Sequence, residues 1–405
     1  MIYVELPLSR IAVGQPIPVN IFDGRGKLLI RKGQTITGEA HKEKLASHRA
    51  QVTELDLQAW QRSHDRLVYA MLRGGRSLEE ILNTPLPGTI LDVDYAVGFE
   101  LTGGWLDLHE ALNAVLYHGA GTRNAMQRLD AIQSRATALL RADPNAALFT
   151  LFQALPDATL PYSSKHALLA AVISDLTAQT LQVDALVRPV LFQAALTMNI
   201  SIARLQDALV RQTGRPTADQ QREIVQHPAR SVELLRGLGL VTEDLFDIVG
   251  GHRMPLDGTG LPRNLECRQI LQTADQFIAK MAPRATRIGQ MPILAAKSIV
   301  ADPDGKPTRI GSAMSRAVGF YPPGTYVKLA NGETAVAVRR GGSANAPLVI
   351  SVIGAGGMAQ GQYTGRDTTY PQYAVRAAVG AAQIKVRLDR DRLDRAADKL
   401  RLATE

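Results

Sequence analysis

Three histidines and one aspartate, His166, His227, His252 and Asp275, are the residues of this chain best suited to hold a metal ion. Imidazole and carboxylate suit divalent Fe, Mn and Zn. Each of the four falls near a different helix in the periodicity described below, and a bundle whose helices each turn one such side chain inward can build a metal site in its core. Taken singly, each is more often a hydrogen-bonded core residue than a ligand. A second feature is the stretch 251–262, Gly-His-Arg-Met-Pro-Leu-Asp-Gly-Thr-Gly-Leu-Pro, in which His252 is followed by a cation, a thioether and a glycine-rich loop.

These residues need a helical frame, and the hydrophobic pattern supplies one. Apolar residues recur at helical spacing over 166–181, 186–200, 218–237, 243–251, 266–281 and 291–300. Breakers such as Thr213-Gly214-Arg215-Pro216 and Gly237-Leu238-Gly239 separate them. Upstream, Asp143-Pro144 predicts a helix entry, with Asp143 as N-cap and Pro144 in the first turn. Residues 1–55 read as β-rich, with apolar and polar side chains alternating from Val13 to Ile36 and a hairpin turn at Phe22-Asp23-Gly24-Arg25-Gly26. Near the other end Asn331-Gly332 joins Thr325–Leu329 to Thr334–Val338 as a hairpin, and Pro347–Ile353 supplies a third strand. From about Tyr373 the chain reads as a helix of mixed charge. The pattern divides the chain into a β-rich module at 1–56, a helical connecting region at 57–155, a helical domain at 156–316, and a β-hairpin module with a terminal helix at 317–405. The fold class is mainly α, a helical bundle flanked by small β-rich modules.

With 405 residues, 45% of them hydrophobic and 21% charged, the chain has ample material for a buried core. One cysteine, Cys267, excludes an intramolecular disulfide or a Cys-based zinc site and fits a reducing, cytoplasmic setting. The start, MIYVELPLSR, lacks the charge and apolar run of a signal peptide. No stretch of about 18 uninterrupted apolar residues marks a membrane span. The net charge of +8 suits an anionic partner. The basic residues are scattered and aromatics make up only 5%, so a nucleic-acid partner is not expected. Gly354-Ala355-Gly356-Gly357 lacks the Lys-Ser/Thr pair of a phosphate-cradling loop, and no Gly-x-Ser-x-Gly elbow is present.

Over roughly 160–290 the chain resembles the HD-GYP family, all-helical phosphodiesterases that hydrolyse cyclic di-GMP at a two- or three-metal centre. His166 stands where that family carries its first histidine. His227-Pro228, with Ser231 and Leu234-Leu235, resembles the family's His-Pro-x-x-Gly-x-x-Leu-Leu helix, with Ser231 for glycine. Asp257-Gly258-Thr259-Gly260-Leu261-Pro262 resembles Asp-Gly-x-Gly-Tyr-Pro. Thr273-Ala274-Asp275-Gln276-Phe277 resembles the segment of the late metal aspartate. Arg284 and Arg287 resemble basic residues near the phosphate site; with Arg253 and Arg263 they form a candidate nucleotide-binding set.

The departures bear on activity. Where the family has Ala-Ala-Leu-Leu-His-Asp-Ile-Gly-Lys, this chain reads Ala194-Ala195-Leu196-Thr197-Met198-Asn199-Ile200-Ser201-Ile202, so Met198-Asn199 replaces the metal-bridging His-Asp pair. Arg253 and Met254 replace the His-Glu that follows the first loop histidine. A thioether is a poor ligand for hard divalent ions, and Asn199 offers only a neutral carbonyl. No cofactor is expected; the most that His166, His227, His252 and Asp275 could retain is one weakly bound divalent ion, Fe, Mn or Zn. Arg253 either pairs with Asp275, supplying fixed positive charge, or points into solvent.

Three functions follow from the resemblance. The favoured one is a non-catalytic regulator or adaptor with a degenerate HD-GYP domain in bacterial cyclic di-GMP signalling, with diguanylate cyclases or response regulators as partners. The second is a phosphohydrolase with a residual one-metal site. The third is a sensor that binds cyclic di-GMP without cleaving it.

Overall fold

Asp143 does what an aspartate before a proline is expected to do. Its side chain accepts from the backbone N–H groups of Asn145 and Ala146 and starts a helix at Pro144. In the computed structural model, which describes all residues except 1–2, 25, 74–75, 91–102, 255–259, 302–303, 387 and 405, the chain forms two compact units. The first comprises Met1–Leu101 with Gly121–Arg128, and the second Thr102–Ala120 with Leu129–Glu405. No helix among the described residues is long and apolar enough to cross a membrane.

The first unit is built on a four-stranded antiparallel sheet. Strands β1 (Tyr3–Glu5), β2 (Ile21–Phe22), β3 (Leu28–Ile30) and β4 (Gln51–Thr53) lie in the order β1-β4-β2-β3. The hairpin expected at 22–26 joins β2 to β3, with Asp23 accepting from the Lys27 N–H. Helix α1 (Glu39–Ser47), which alternation did not announce, precedes β4. Helix α2 (Glu54–Arg73) follows it and brings Trp60 into a core with Ile17, Ile21, Ile36 and Val52. A short helix α3 (Leu78–Leu82) closes this stretch.

The second unit carries the bundle. Its helices are α4 (Trp105–His118), α5 (Ala125–Ala142, which begins in the first unit), α6 (Pro144–Ala154), α7 (Tyr162–Thr180), α8 (Arg188–Thr197), α9 (Ala203–Arg211), α10 (Ala218–Gly237), α11 (Glu243–Gly251), α12 (Leu265–Met281), α13 (Pro292–Val300) and α14 (Arg309–Val318). The periodic runs read from sequence fall on α7, α8 and α10 to α13. Helix α7 is the centre of the bundle and is buried from Tyr162 to Ala178. It packs against α8, α12 and α14. A helix buried on every side needs its end groups satisfied from elsewhere. Asp207 of α9 supplies that at the start of α7, accepting from the Ser163 N–H at 2.7 Å and also from the Tyr117 hydroxyl. At the end of α6, the buried Lys165 ammonium donates to the Leu155 and Asp157 carbonyls.

Beyond α14 a five-stranded antiparallel sheet forms from β5 (Tyr326–Leu329), β6 (Thr334–Arg339), β7 (Leu348–Ile353), β8 (Ala359–Asp367) and β9 (Val375–Val379), in the order β8-β7-β6-β5-β9. The three strands read from sequence are present, with the Asn331-Gly332 turn between β5 and β6. The helix expected from Tyr373 is corrected: Val375–Val379 pairs with β5, and the terminal helix α15 runs from Arg390 to Thr404. Backbone pairing across a gap of about fifty residues decided that segment, and local charge pattern carries no trace of it. Leu393, Ala396 and Leu400 of α15 pack on Val336, Ile350 and Val352 of the sheet.

Asp207→Ala is expected to lower the unfolding free energy by about 3 kcal/mol in urea titrations, because it strips two charge-assisted hydrogen bonds from a buried helix entry. An unchanged midpoint would show that Asp207 does not hold α7.

Candidate functional site

The four residues singled out for metal chemistry converge in the bundle core, but as two pairs. All four are buried: His166 at 1% exposure, His227 and His252 at 0%, Asp275 at 4%.

The first pair joins α7 to α12. Tyr162, one helical turn before His166, donates its hydroxyl hydrogen to His166 Nδ1 at 2.7 Å. His166 Nε2 in turn donates to Asp275 Oδ1 at 2.9 Å. The other oxygen, Oδ2, accepts from Arg253 Nη2 at 2.9 Å. Arg253 therefore takes the first of the two orientations left open above, and pairs with Asp275. Burial by itself raises the Asp275 carboxyl, but the His166 hydrogen bond and the Arg253 charge overcome it and hold the group well below the usual carboxylate range.

The second pair joins α10 to the end of α11. His227 Nδ1 donates to the Ile224 carbonyl and His252 Nδ1 to the Val249 carbonyl, both at 2.6 Å. These bonds place the ring hydrogen on Nδ1 and leave a lone pair on Nε2 of each ring. The two Nε2 atoms then face each other at 3.1 Å. Burial pushes His227 down to about 3, with His252 adding to the effect. Burial also lowers His252. Both rings are neutral at pH 7, so two lone pairs meet with no hydrogen of their own between them.

Two of the substituted positions, Met198 and Asn199, are buried. Met198 ends α8 and is fully buried. Asn199 follows it at 5% exposure, and neither its amide oxygen nor its amide nitrogen has a hydrogen-bond partner among the described residues. Two residues on, Ser201 Oγ donates to the His227 carbonyl at 3.1 Å and lies 2.9 Å from Ser231 Oγ. The serine standing in for glycine thus ties α10 to the turn after α8. Met254 is half exposed.

The loop after His252 is anchored by residues that sequence reasoning missed. Asp247 accepts from the Leu261 N–H at 2.9 Å, and the buried Arg268 of α12 threads between Gly251 and Gly260. A Cβ at either glycine would collide with it. Gly260 also sits at φ +84°, where glycine is preferred. Asp257, Gly258 and Thr259 lie outside the described residues. Tyr162 had a readable signal in its i−4 spacing from His166; Asp247 and Arg268 had none.

The four arginines proposed for a nucleotide separate. Arg263 is exposed and pairs with Asp244 at 2.7 Å. Arg284 and Arg287 lie on the turn after α12, where the Arg284 N–H bonds the Arg287 carbonyl at 2.9 Å. The charges of both, with that of Arg253, reach the Tyr162 hydroxyl. Arg284 also lines a hollow of about 330 Å³ with Tyr162, Lys165 and Arg211.

Set against the donors a divalent centre needs, the described residues offer two imidazoles to one ion. Nε2 atoms 3.1 Å apart match the bite of two imidazoles on one ion at about 2.0–2.1 Å each. The carbonyl bonds at Nδ1 are the outer support such ligands use. Asp275 already gives both oxygens to protein donors, and among the described residues no group of three or more His, Cys, Asp and Glu is arranged around one ion.

Comparison with known proteins agrees with this frame. Residues 151–302 match the family model of the HD domain. Over 159 residues, 38% of the chain, it is 31% identical to the 3'3'-cGAMP-specific phosphodiesterase 3 of Vibrio cholerae serotype O1, and it spans only about a third (34%) of that relative's length. Among solved structures it is similar to an HDG"Y"P protein from Bdellovibrio bacteriovorus, with a TM-score of 0.43 and 15% identity over 77% of this chain and 98% of that one.

Arg253→Ala is expected to cost about 1–2 kcal/mol in chemical denaturation, at the low end for a charged hydrogen bond because Arg253 is partly exposed. No loss would mean the pair is absent in solution. Acid adds a second check, made with chelator present. His227 stays neutral in the folded chain but protonates near 6.5 when unfolded, so it makes stability fall as pH drops below about 6.5, by about 2 kcal/mol between pH 7 and 5, and the lowered His252 acts in the same direction. His227→Gln flattens that slope; an identical slope would exclude the assignment.

Proposed function

We propose, from the match of residues 151–302 to the HD-domain family model, that this chain is a non-hydrolysing HD-GYP-type regulator in bacterial cyclic di-GMP signalling. The carrying observation is the state of Asp275. It is the one carboxylate in the cluster among the described residues, and Arg253 and His166 occupy both its oxygens. Hydrolysis of a phosphodiester at a two-metal centre needs a bridging anion to hold the cations together, one to activate water and one to neutralise the phosphate. Met198 and Asn199 supply no such anion. An internal guanidinium replaces the charge of an ion and satisfies the carboxylate without one. The domain then acts through its surface in the cytoplasm, on diguanylate cyclases or response regulators, with cyclic di-GMP as a further candidate ligand near Arg253, Arg284 and Arg287.

One observation favours a second reading, a phosphohydrolase with a one-metal site. The two facing lone pairs of His227 and His252 call for a cation between them. When bound, a divalent ion there would supply Lewis acidity toward a phosphate oxygen. The chain's own residues would orient the imidazoles through Ile224 and Val249, while Arg253 carries positive charge at the rim.

Elemental analysis of the purified chain, with a cyclic di-GMP incubation in Mn or Fe, separates these readings. We expect at most one ion per chain, lost in His227→Ala, and no linear product. Two ions per chain, or linear product at enzymic rates, would overturn the proposal; one ion with slow turnover would move the assignment to the second reading.

A further inference from the structure

The sheet after the bundle has an edge that the HD domain's chemistry does not use. Strand β8 is outermost, and no described strand pairs with its outer side. One row of its backbone N–H and C=O groups is thus unmatched by a neighbour. The strand is also irregular: Ser351 of β7 lies opposite Thr364 and Ile353 opposite Ala359, so Gln360 to Tyr363 face the single residue Val352. This register shift is a bulge, a distortion that recurs at sheet edges and beside functional sites.

Helix α15 lies alongside. Gly365 permits the approach, since a Cβ there would press on Leu400 at 2.9 Å. Between strand and helix runs an open groove of about 610 Å³, floored by residues 361–365 and walled by Arg392, Arg395 and Lys399. The three cations stand at i, i+3 and i+7, one stripe of the helix. Arg392 donates to the Gly361 carbonyl at 3.1 Å and shapes the groove. Arg395 and Lys399 are exposed and have no hydrogen-bond or ion-pair partner among the described residues. Of the helix's three acidic residues, Asp394 and Asp398 line a separate hollow beside Arg339 and Arg390, and Asp391 lines neither. The charged residues lining the groove are all cations.

We propose that this groove docks an extended acidic segment of a partner protein, which adds as a strand to β8 and sets its carboxylates against Arg395 and Lys399. A peptide is the occupant the edge selects, because only another backbone can return a row of main-chain hydrogen bonds. A polyanion such as nucleic acid would use the cations alone, and the groove's single aromatic, Tyr363, makes no stacking platform. The stripe from Arg392 to Lys399 rises about 10 Å, the span of three extended residues. Acidic groups two residues apart, on the same face of a strand, match it. The site is independent of whether the HD domain hydrolyses anything.

The test is fluorescence anisotropy of the full chain with a fluorescein-labelled (Glu-Thr)5 peptide at low salt. The expected result is saturable binding that weakens at least about tenfold in the double variant Arg395→Glu, Lys399→Glu, and at least about tenfold when alternate peptide nitrogens are methylated. Both substitutions are on exposed positions, and circular dichroism melting checks that the fold is kept. Absence of saturable binding, equal binding by the double variant, indifference to methylation, or equal affinity for a single-stranded DNA oligonucleotide would each overturn the proposal.

Discussion

A carboxylate with no access to water must be answered by positive charge, and the answer given to Asp275 organises the bundle core. Its position on α12, at 4% exposure, would by burial alone drive it toward the neutral acid. His166 of α7 and Arg253, just after α11, hold it ionised instead, one on each oxygen. Three elements are thereby fixed to one another at a single group. The guanidinium of Arg253 is covalently attached, so this compensating charge cannot dissociate as an ion would.

The imidazole pair is the counterpart of that arrangement. His166 has both ring nitrogens engaged, by Tyr162 and Asp275. His227 and His252 each have one nitrogen engaged by a carbonyl and one turned toward the other ring. The difference follows from where the helices place nearby acceptors. Pro228 has no N–H to occupy the Ile224 carbonyl, and Val249 lies in the last turn of α11, so both carbonyls are open to a ring; His166 meets a side chain at each nitrogen. The core therefore contains one satisfied half and one half that is electron-rich; Asn199, after α8, is a buried amide with no partner among the described residues.

Outside the bundle, the groove between β8 and α15 rests on how a sheet and a helix close over a core. The packing of Leu393, Ala396 and Leu400 against β6 and β7 sets α15 in place. That same placement turns Arg395 and Lys399 toward the outer strand. Burial of one helix face thus dictates which charges line the groove, without any selection on the groove itself.

Much of this was legible in the residues alone. Helical periodicity announced α7, α8 and α10 to α13, because an amphipathic face is a local property of the chain. The Asp143 cap and the Asn331-Gly332 turn were local as well. His166, His227, His252 and Asp275 could be singled out because residue type limits chemistry, and the Arg253 substitution could be framed as pairing or exposure. The choice between those two depended on the distance from α11 to α12, which no local pattern encodes. The same holds for the split of the four ligand-type residues into two pairs, for Asp247 and Arg268 behind the glycine loop, and for β9 in place of a helix. Each of these is a contact between segments far apart in the chain. Composition and spacing determine which groups are available; the packing of helices determines which of them meet, and with what charge between them.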